Sequence, residues 1–200
     1  MDLIVEQTPS CVGNLRQRAI QAAHRLLETQ GEAGLGLRAI ATEIGTGVGS
    51  LYYHFANKDA LMAELAADGF RELSRWMTLA GESSNDQTAF FNCGHAYLGF
   101  TRRRPGLYAL MYNERILATQ EVARRAEAES FAVFKQSLDS PGTPGADVED
   151  VALTYWALGR GMASISASLG GSSPGATKTT VRRVLRGLEL LINEPVRGLT

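Results

Sequence analysis

Residues 37–55, LRAIATEIGTGVGSLYYHF, decide the fold. Apolar side chains recur there at the three- and four-residue spacing of a helix on both sides of one glycine. They are Leu37, Ile40, Ala41 and Ile44 before Gly45, and Val48, Leu51 and Phe55 after it. The polar run Asn57-Lys58-Asp59 then interrupts the pattern. The stretch therefore predicts two short helices, back to back around Gly45.

The flanking sequence continues the helical pattern. Apolar residues from Leu15 to Leu27 fall on one stripe, and Gly31 follows as a stop. Lys58 to about Leu79 predicts a longer helix, which ends at a polar loop over 81–86. Further helices are predicted over 87–104, 107–112, 120–138, 148–170 and 177–193. No segment alternates as a strand does, so we predict an all-α chain of about nine helices.

Three helices followed by a connecting one, with the second and third short and joined at a glycine, have the shape of a helix-turn-helix, here over about 37–56. Leu51 and Phe55 lie four residues apart and are expected to hold the third helix on the first two. The solvent side, which we call the outer face, consists of Val48, Gly49, Ser50, Tyr52 and Tyr53.

The outer face suits the major groove of DNA. Gly49 and Ser50 are small enough to let the backbone approach base edges, and the Ser50 hydroxyl can exchange a hydrogen bond there. Tyr52, Tyr53, His54 and Lys58 are suited to phosphates, which fix register without carrying sequence information. Two alternatives stay open: the tyrosines as ordinary amphipathic surface groups, and His54 as a brace for the helix end.

The stretch from Arg16 to Met62 resembles the DNA-binding domain of TetR-family transcriptional regulators without a gap. The resemblance runs through LRAIA at 37–41, Gly45, Gly49, LYYHF at 51–55 and KDAL at 58–61. It implies an N-terminal DNA-binding domain, about 13–73, and a ligand-binding and dimerisation domain, 74–200. The DNA contacts that it implies are Arg38, Thr46, Gly47, Ser50, Tyr52, Tyr53 and Lys58. Gly36 and Gly47 depart from the family's usual Ser or Thr, and glycine is an acceptable cap there.

Composition excludes several classes of protein. With 44% apolar and 20% charged residues, the 200-residue chain is neither disordered, collagen-like nor a disulfide-built miniprotein. Lys+Arg 20 against Asp+Glu 21 gives a net charge of −1, so a nucleic-acid role depends on a local surface. Residues 16–58 carry a net charge of only +2.

The sequence predicts no cofactor, metal site, secretion signal or membrane helix. The two cysteines, Cys11 and Cys93, lack metal-ligand spacing, and a cytosolic location is the default. The N-terminus lacks a basic region followed by an apolar one. The only span worth testing as a membrane helix, 151–169, contains Arg160 and three serines.

Beyond residue 74 we expect small-molecule sensing. YLGFTRRRPGLYALMYN at 97–113 resembles a passage of TetR-type effector domains, and YWALGRG at 155–161 is similar to the Trp-x-x-x-His-Gly element of the WHG type, with Arg160 in place of histidine. The pocket candidates are Phe91, His95, Tyr97, Met111, Tyr112, Phe131, Phe134, Trp156, Arg160 and Met162. The alternative is that such a stripe is ordinary core and that His95 and Arg160 are surface groups.

The leading hypothesis is a homodimeric repressor that pairs through the helices 148–170 and 177–193 and leaves a palindromic operator when a small apolar effector binds. A second reading, an all-helical enzyme, has little support. Cys93 and His95 lie about 200° apart around a helix, and no paired carboxylates, phosphate-binding loop or nucleophile elbow is present. A third is a DNA-binding protein that needs no ligand.

Overall fold

The computed structural model describes residues 10–82, 89–138 and 148–168, together with 179, 182–184 and 186. Within these residues it contains nine helices and no strand, which confirms the all-α prediction. The helices are α1 Ser10–Gly34, α2 Leu37–Ile44, α3 Val48–Tyr52, α4 Lys58–Glu82, α5 Ala89–Arg103, α6 Pro105–Met111, α7 Glu114–Thr119, α8 Glu121–Gln136 and α9 Val148–Ser168.

Glycines end the first two helices. Gly31 has φ 67° and ψ −170°, so the regular part of α1 stops there as predicted, and one further turn reaches Gly34. Gly45 ends α2 in the left-handed region, with φ 67°, a conformation that glycine adopts without steric cost. The Thr46 amide then donates to the Ala41 carbonyl oxygen at 2.9 Å, which closes the turn between α2 and α3.

The long helix α4 forms the centre of the chain up to residue 137. It begins at Lys58 because the Asn57 side chain accepts a hydrogen bond from the Ala60 amide at 2.8 Å. Ten residues of α4 are buried, and α1, α5, α6, α7 and α8 pack against it. One continuous helix therefore runs from the helix-turn-helix into the rest of the bundle.

The structure differs from the sequence prediction between residues 104 and 120. Pro105 opens α6 and does not merely end the preceding helix, which suits the fixed φ of proline at a first helical position. The helix α7 was not predicted. It is capped by Asn113, whose side chain accepts from the Ile116 amide at 3.3 Å, and Ile116 is fully buried.

The chain divides into two compact units, 1–137 and 138–200. In the second, α9 has a buried face and an exposed face. The exposed face includes Leu153, Ala157, Gly161 and Ile165 at four-residue spacing. Most of the predicted last helix, 177–193, lies outside the described residues. No helix in the described part is long and apolar enough to cross a membrane.

Candidate nucleic-acid interface

The buried side chains of Leu51 and Phe55 hold α3 in place on the side opposite the outer face. Their side chains are 0% and 2% exposed, as expected from their four-residue spacing. The Arg16 guanidinium lies 5.8 Å from the centre of the Phe55 ring and pairs with Glu64 on α4 at 2.8 Å. The helix α3 thus packs against α2, and Arg16 links Phe55, just beyond α3, to α4.

The outer face of α3 is open to solvent. Ser50 is exposed, Tyr52 and Tyr53 are 55% and 84% exposed, and Val48 is half-buried. The other candidate DNA contacts nearby are also accessible: Arg38, Gly47, Gly49 and Lys58 are exposed, and Thr46 and His54 are half-buried. All nine predicted DNA-contact residues are therefore at least partly accessible to solvent, and their contact with DNA stays a prediction.

The exposure of Tyr52 and Tyr53 to solvent requires an explanation, because both side chains are large and partly apolar. The Tyr53 and His54 rings are nearly perpendicular, with centroids 5.4 Å apart, and the His54 ring lies 6.5 Å from that of Phe55. A tyrosine presents an apolar body and a hydroxyl group, which suits a contact that is partly dry and partly polar.

Most of the positive charge around α3 is already engaged within the chain. Arg18 donates to the Ile44 carbonyl oxygen at 2.7 Å, and Arg25 pairs with Glu43 at 2.9 Å. Lys58 reaches the Glu32 carbonyl oxygen at 3.3 Å from its exposed position. Within the described residues of α1 to α3, Arg38 is the arginine whose side chain has no hydrogen bond or ion pair. These contacts leave the net charge of +2 unchanged, but among these described cations only Arg38 can meet a partner without first giving up a contact within the chain.

The pKa values of Asp68, Cys93 and Arg115 are shifted from their ordinary values. The Asp68 carboxyl faces His24 of α1 at 3.8 Å and Arg71 at 2.7 Å, and these contacts lower its pKa despite partial burial. Burial raises the pKa of the Cys93 thiol, which donates to the Met77 carbonyl oxygen. The ion pair with Asp59 raises the pKa of Arg115. No group of three potential metal ligands occurs in the ranges that the structure describes.

The predicted pocket residues of the first unit fall into different environments. Tyr97 is buried, and its hydroxyl lies 2.7 Å from that of Tyr108, a residue the sequence analysis did not single out. The Tyr108 ring also contacts that of Tyr112, tilted by 56° at a centroid distance of 4.9 Å, so Tyr108 joins two of the candidates. Met111 and Phe134 are buried, Phe131 is half-buried and His95 is exposed. The side chain of Phe91 lies outside the described residues.

The remaining pocket candidates lie on α9 in the second unit. Trp156 and Met162 are buried, at 5% and 8% exposure, while Arg160 is exposed. Whether any of these ten residues holds a ligand remains a prediction.

The sequence analysis did not predict the connection between α6 and α1, the helix that precedes the helix-turn-helix. Arg104, the residue before α6, pairs with Glu28 of α1 and, at 3.2 Å, with Glu72 of α4. A Cβ atom on Gly106 would stand 3.4 Å from the Leu27 carbonyl oxygen, and one on Gly69 would stand 2.6 Å from Met111 Sδ. The two glycines thus let α6 lie close to both α1 and α4. No local sequence signal marks such a contact.

Two sequence models of known families match the chain. Residues 19–65 match the model described as bacterial regulatory proteins of the tetR family, and residues 90–188 match the tetracyclin repressor-like C-terminal domain. The chain belongs to the TetR family. This is a family of DNA-binding transcriptional regulators and not of enzymes, and the C-terminal match includes the YWALGRG element at 155–161.

Individual relatives differ in their sequence identity to this TetR-family protein and in how much of its chain they match. The HTH-type transcriptional regulator YobS of Bacillus subtilis is 28% identical over 97 residues, 48% of this chain and 51% of that protein. The chain thus spans about half the length of this curated relative. A protein from Rhodococcus sp. RHA1 has a TM-score of 0.70 at 26% identity, covering 90% of this chain and 98% of that one.

A third comparison shows the fold alone. The multidrug binding protein EbrR complexed with proflavin has a TM-score of 0.58 at 21% identity, covering 85% of this chain and 99% of that chain. The TetR-family fold therefore extends over most of the chain, beyond the helix-turn-helix.

Proposed function

We propose that this TetR-family protein is a cytoplasmic, homodimeric, ligand-responsive regulator that binds a palindromic operator, and that it is a repressor released by a small apolar effector. One observation carries the proposal. The outer face is exposed on a helix whose opposite side is buried through Leu51 and Phe55. A helix-turn-helix uses that arrangement to insert its second helix into the major groove.

We assign two kinds of DNA contact. Thr46, Gly47, Gly49 and Ser50 stand where base edges would be reached, because they are small and accessible. The phosphate contacts are Arg38, Tyr52, Tyr53, His54 and Lys58. Arg38 is the strongest of these, since its guanidinium is exposed and not used by neighbouring groups among the described residues. For Lys58, a DNA contact requires it to leave the Glu32 carbonyl oxygen.

Residues 74–200 form the proposed effector and dimerisation domain, although the boundary at 73–74 falls inside α4. The complex of EbrR with proflavin supports the binding of a small molecule by a protein of this fold, and we assign that role here to residues 74–200. The contacts among Tyr97, Tyr108 and Tyr112 add aromatic surface with hydroxyl groups, which suits a mainly apolar ligand that carries a few polar atoms.

The proposed dimer forms through α9 and the segment 177–193. On α9, the exposed stripe has apolar ends, Leu153 and Ile165, and small residues, Ala157 and Gly161, between them. A Cβ atom on Gly161 would meet nothing within 4 Å, so packing within the described chain does not require glycine there. Small residues let a second helix approach closely, and a two-fold axis would present the same stripe from both subunits.

The signal between effector and operator is proposed to pass through α4 and α6. The helix α4 begins beside the helix-turn-helix, and Arg104 ties the start of α6 to both α1 and α4. A shift of α6 on ligand binding would therefore change the position of α1. A coupling free energy of about 1–3 kcal/mol gives roughly 5- to 150-fold control of operator affinity.

The experiment is a selection of duplexes from a random library by the full-length protein, followed by titration of the selected duplex. The Tyr52→Ala/Lys58→Ala double variant is expected to abolish the shift while its mass in solution stays that of the wild-type dimer. The control is Arg124→Ala/Arg125→Ala, a double alanine change at exposed positions of α8, outside both the helix-turn-helix and the proposed dimer helix. Full binding by the Tyr52/Lys58 variant would contradict the site, and a monomeric wild type would contradict the dimer.

A further inference from the structure

The outer face lacks every side chain that makes a two-point contact with a purine. Arg and Lys contact guanine in this way, and Asn and Gln contact adenine. Residues 48–53 are Val-Gly-Ser-Leu-Tyr-Tyr and contain none of the four. Asn57, the next amide along the chain, is already used to cap α4. Sequence discrimination by α3 must therefore depend on other groups.

The two glycines beside Val48 are not required by the fold. Gly47 has φ −73°, and Gly49 is also outside the positive-φ region. A Cβ atom on either would meet nothing within 4 Å. Since glycine destabilises a helix relative to alanine, Gly49 weakens α3 without an internal reason. Because neither glycine carries a side chain, another molecule can approach the exposed backbone at both positions closely.

Val48 stands between these glycines and is the aliphatic side chain of the outer face. It is half-buried, so its position is fixed by packing while part of its surface stays accessible. The major groove presents one aliphatic group, the 5-methyl of thymine, and apolar side chains contact it. An approach close enough for van der Waals contact needs small neighbours on either side, as Gly47 and Gly49 are.

We infer that Val48 is a specificity-determining residue that contacts a thymine 5-methyl group in each operator half-site, and that α3 makes no two-point contact with guanine. The inference rests on the proposed DNA-binding function. It identifies the partner as a duplex with thymine under α3. Ser50 adds a single hydrogen bond, which base edges of either kind can satisfy.

The test removes the methyl group from the DNA and the valine from the protein. The probe is the duplex selected by the full-length protein, with each thymine in turn replaced by deoxyuridine and each guanine by 7-deazaguanine. One thymine position per half-site is expected to lose about fourfold in affinity, the effect of one buried aliphatic carbon. Val48→Ala should lose that sensitivity, and Val48→Thr, which keeps one methyl group, should retain it.

The outcomes separate the inference from the function on which it rests. Deoxyuridine that is harmless at every position, or a loss that persists in full in Val48→Ala, would overturn the role of Val48. A tenfold loss on 7-deazaguanine substitution under α3 would overturn the absence of a two-point contact with guanine. Selection that enriches no duplex at low salt would overturn the proposed function and this assignment with it. The wild-type arm needs no variant, so it remains decisive if Val48→Ala fails to fold.

Discussion

Arg104 forms an ion pair with Glu28, although 76 positions separate them in the chain. The same guanidinium reaches Glu72 on α4, so one side chain ties the start of α6 to two other helices. Arg104 and Glu72 are 27% and 24% exposed, and Glu28 is 46% exposed. The cluster is therefore partly shielded from solvent, which places its contribution between that of a surface pair and that of a buried one.

We predict that Arg104→Ala lowers the free energy of unfolding by about 1–2 kcal/mol, because it leaves two nearby carboxylates without their shared cation. Urea titration measures the change. The control is Arg124→Ala, which breaks an exposed pair with Glu121 inside α8. An exposed pair of this kind is worth no more than about 0.5 kcal/mol. Equal losses for the two variants would mean that Arg104 is an ordinary surface residue.

Gly69→Ala should push α6 away from α4. The added Cβ atom would lie 2.6 Å from Sδ and 2.7 Å from Cγ of Met111, which is fully buried. Overpacking costs about 1–3 kcal/mol, only part of which alanine's better helix propensity offsets. Calorimetry should show a lower melting temperature, and the loss should shrink in a Met111→Ala background.

Gly94→Ala is the matched control for Gly69. Its Cβ atom would meet nothing within 4 Å, so helix propensity alone should apply. A gain of about 0.5–1 kcal/mol is expected from that substitution. If Gly69→Ala were stabilising to the same extent, the close contact between α4 and α6 would be refuted.

Operator binding should depend only weakly on salt for a DNA-binding protein. Counting Arg38 and Lys58 from each subunit gives a slope of log affinity against log salt of at most about −4. Arg38→Ala should make the slope shallower by about 2, since each phosphate contact contributes about 0.9. Fluorescence polarisation over a salt series measures this. Arg125→Ala, which removes an exposed arginine from α8, should leave the slope unchanged, and a wild-type slope near −8 would contradict the charge assignment.

Acid stability should depend on Asp68. Its pKa is below the ordinary value of 3.8 in the folded chain, chiefly because of the contact with His24 and the hydrogen bond from Arg71. A lowered pKa means that the stabilisation is present above the ordinary value and is lost as the pH falls through the folded value. Asp68→Asn should therefore lose less stability on acidification than wild type, measured by thermal melts at several pH values. The control is Glu129→Gln, which alters an exposed ion pair and should lose as much stability on acidification as wild type does. If Asp68→Asn also loses as much as wild type, the contacts of Asp68 do not stabilise the fold.

The helix-turn-helix could be predicted because its determinants are local. Gly45 marks the turn by the absence of a side chain, and the spacing of Leu51 and Phe55 identifies their shared buried face. The same holds for the end of the regular part of α1 at Gly31. Each of these signals lies within a few residues of the structure that it specifies.

Other features could not be predicted because they join distant positions. The charge count in the sequence treated Arg16, Arg18 and Arg25 as available, whereas the structure pairs each of them with another part of the chain. The contact of Arg104 with Glu28 leaves no periodic trace in the sequence. The short helix α7 is an exception, because its start does have a local sequence signal. Asn113 followed by Glu114 is a typical helix start, which the sequence prediction above does not include.

The most direct test of the central claim places a carboxylate on the outer face and measures operator affinity. Ser50→Glu adds one negative charge at an exposed position of α3, and Thr78→Glu adds the same charge at an exposed position of α4. In Ser50→Glu the new carboxylate would face the DNA phosphates and base edges. This variant should therefore bind the selected duplex at least about 100-fold more weakly, a loss of about 2.7 kcal/mol. The second should bind as wild type does. Equal affinities for the two variants, with both melting as wild type does, would show that the outer face of α3 does not enter DNA.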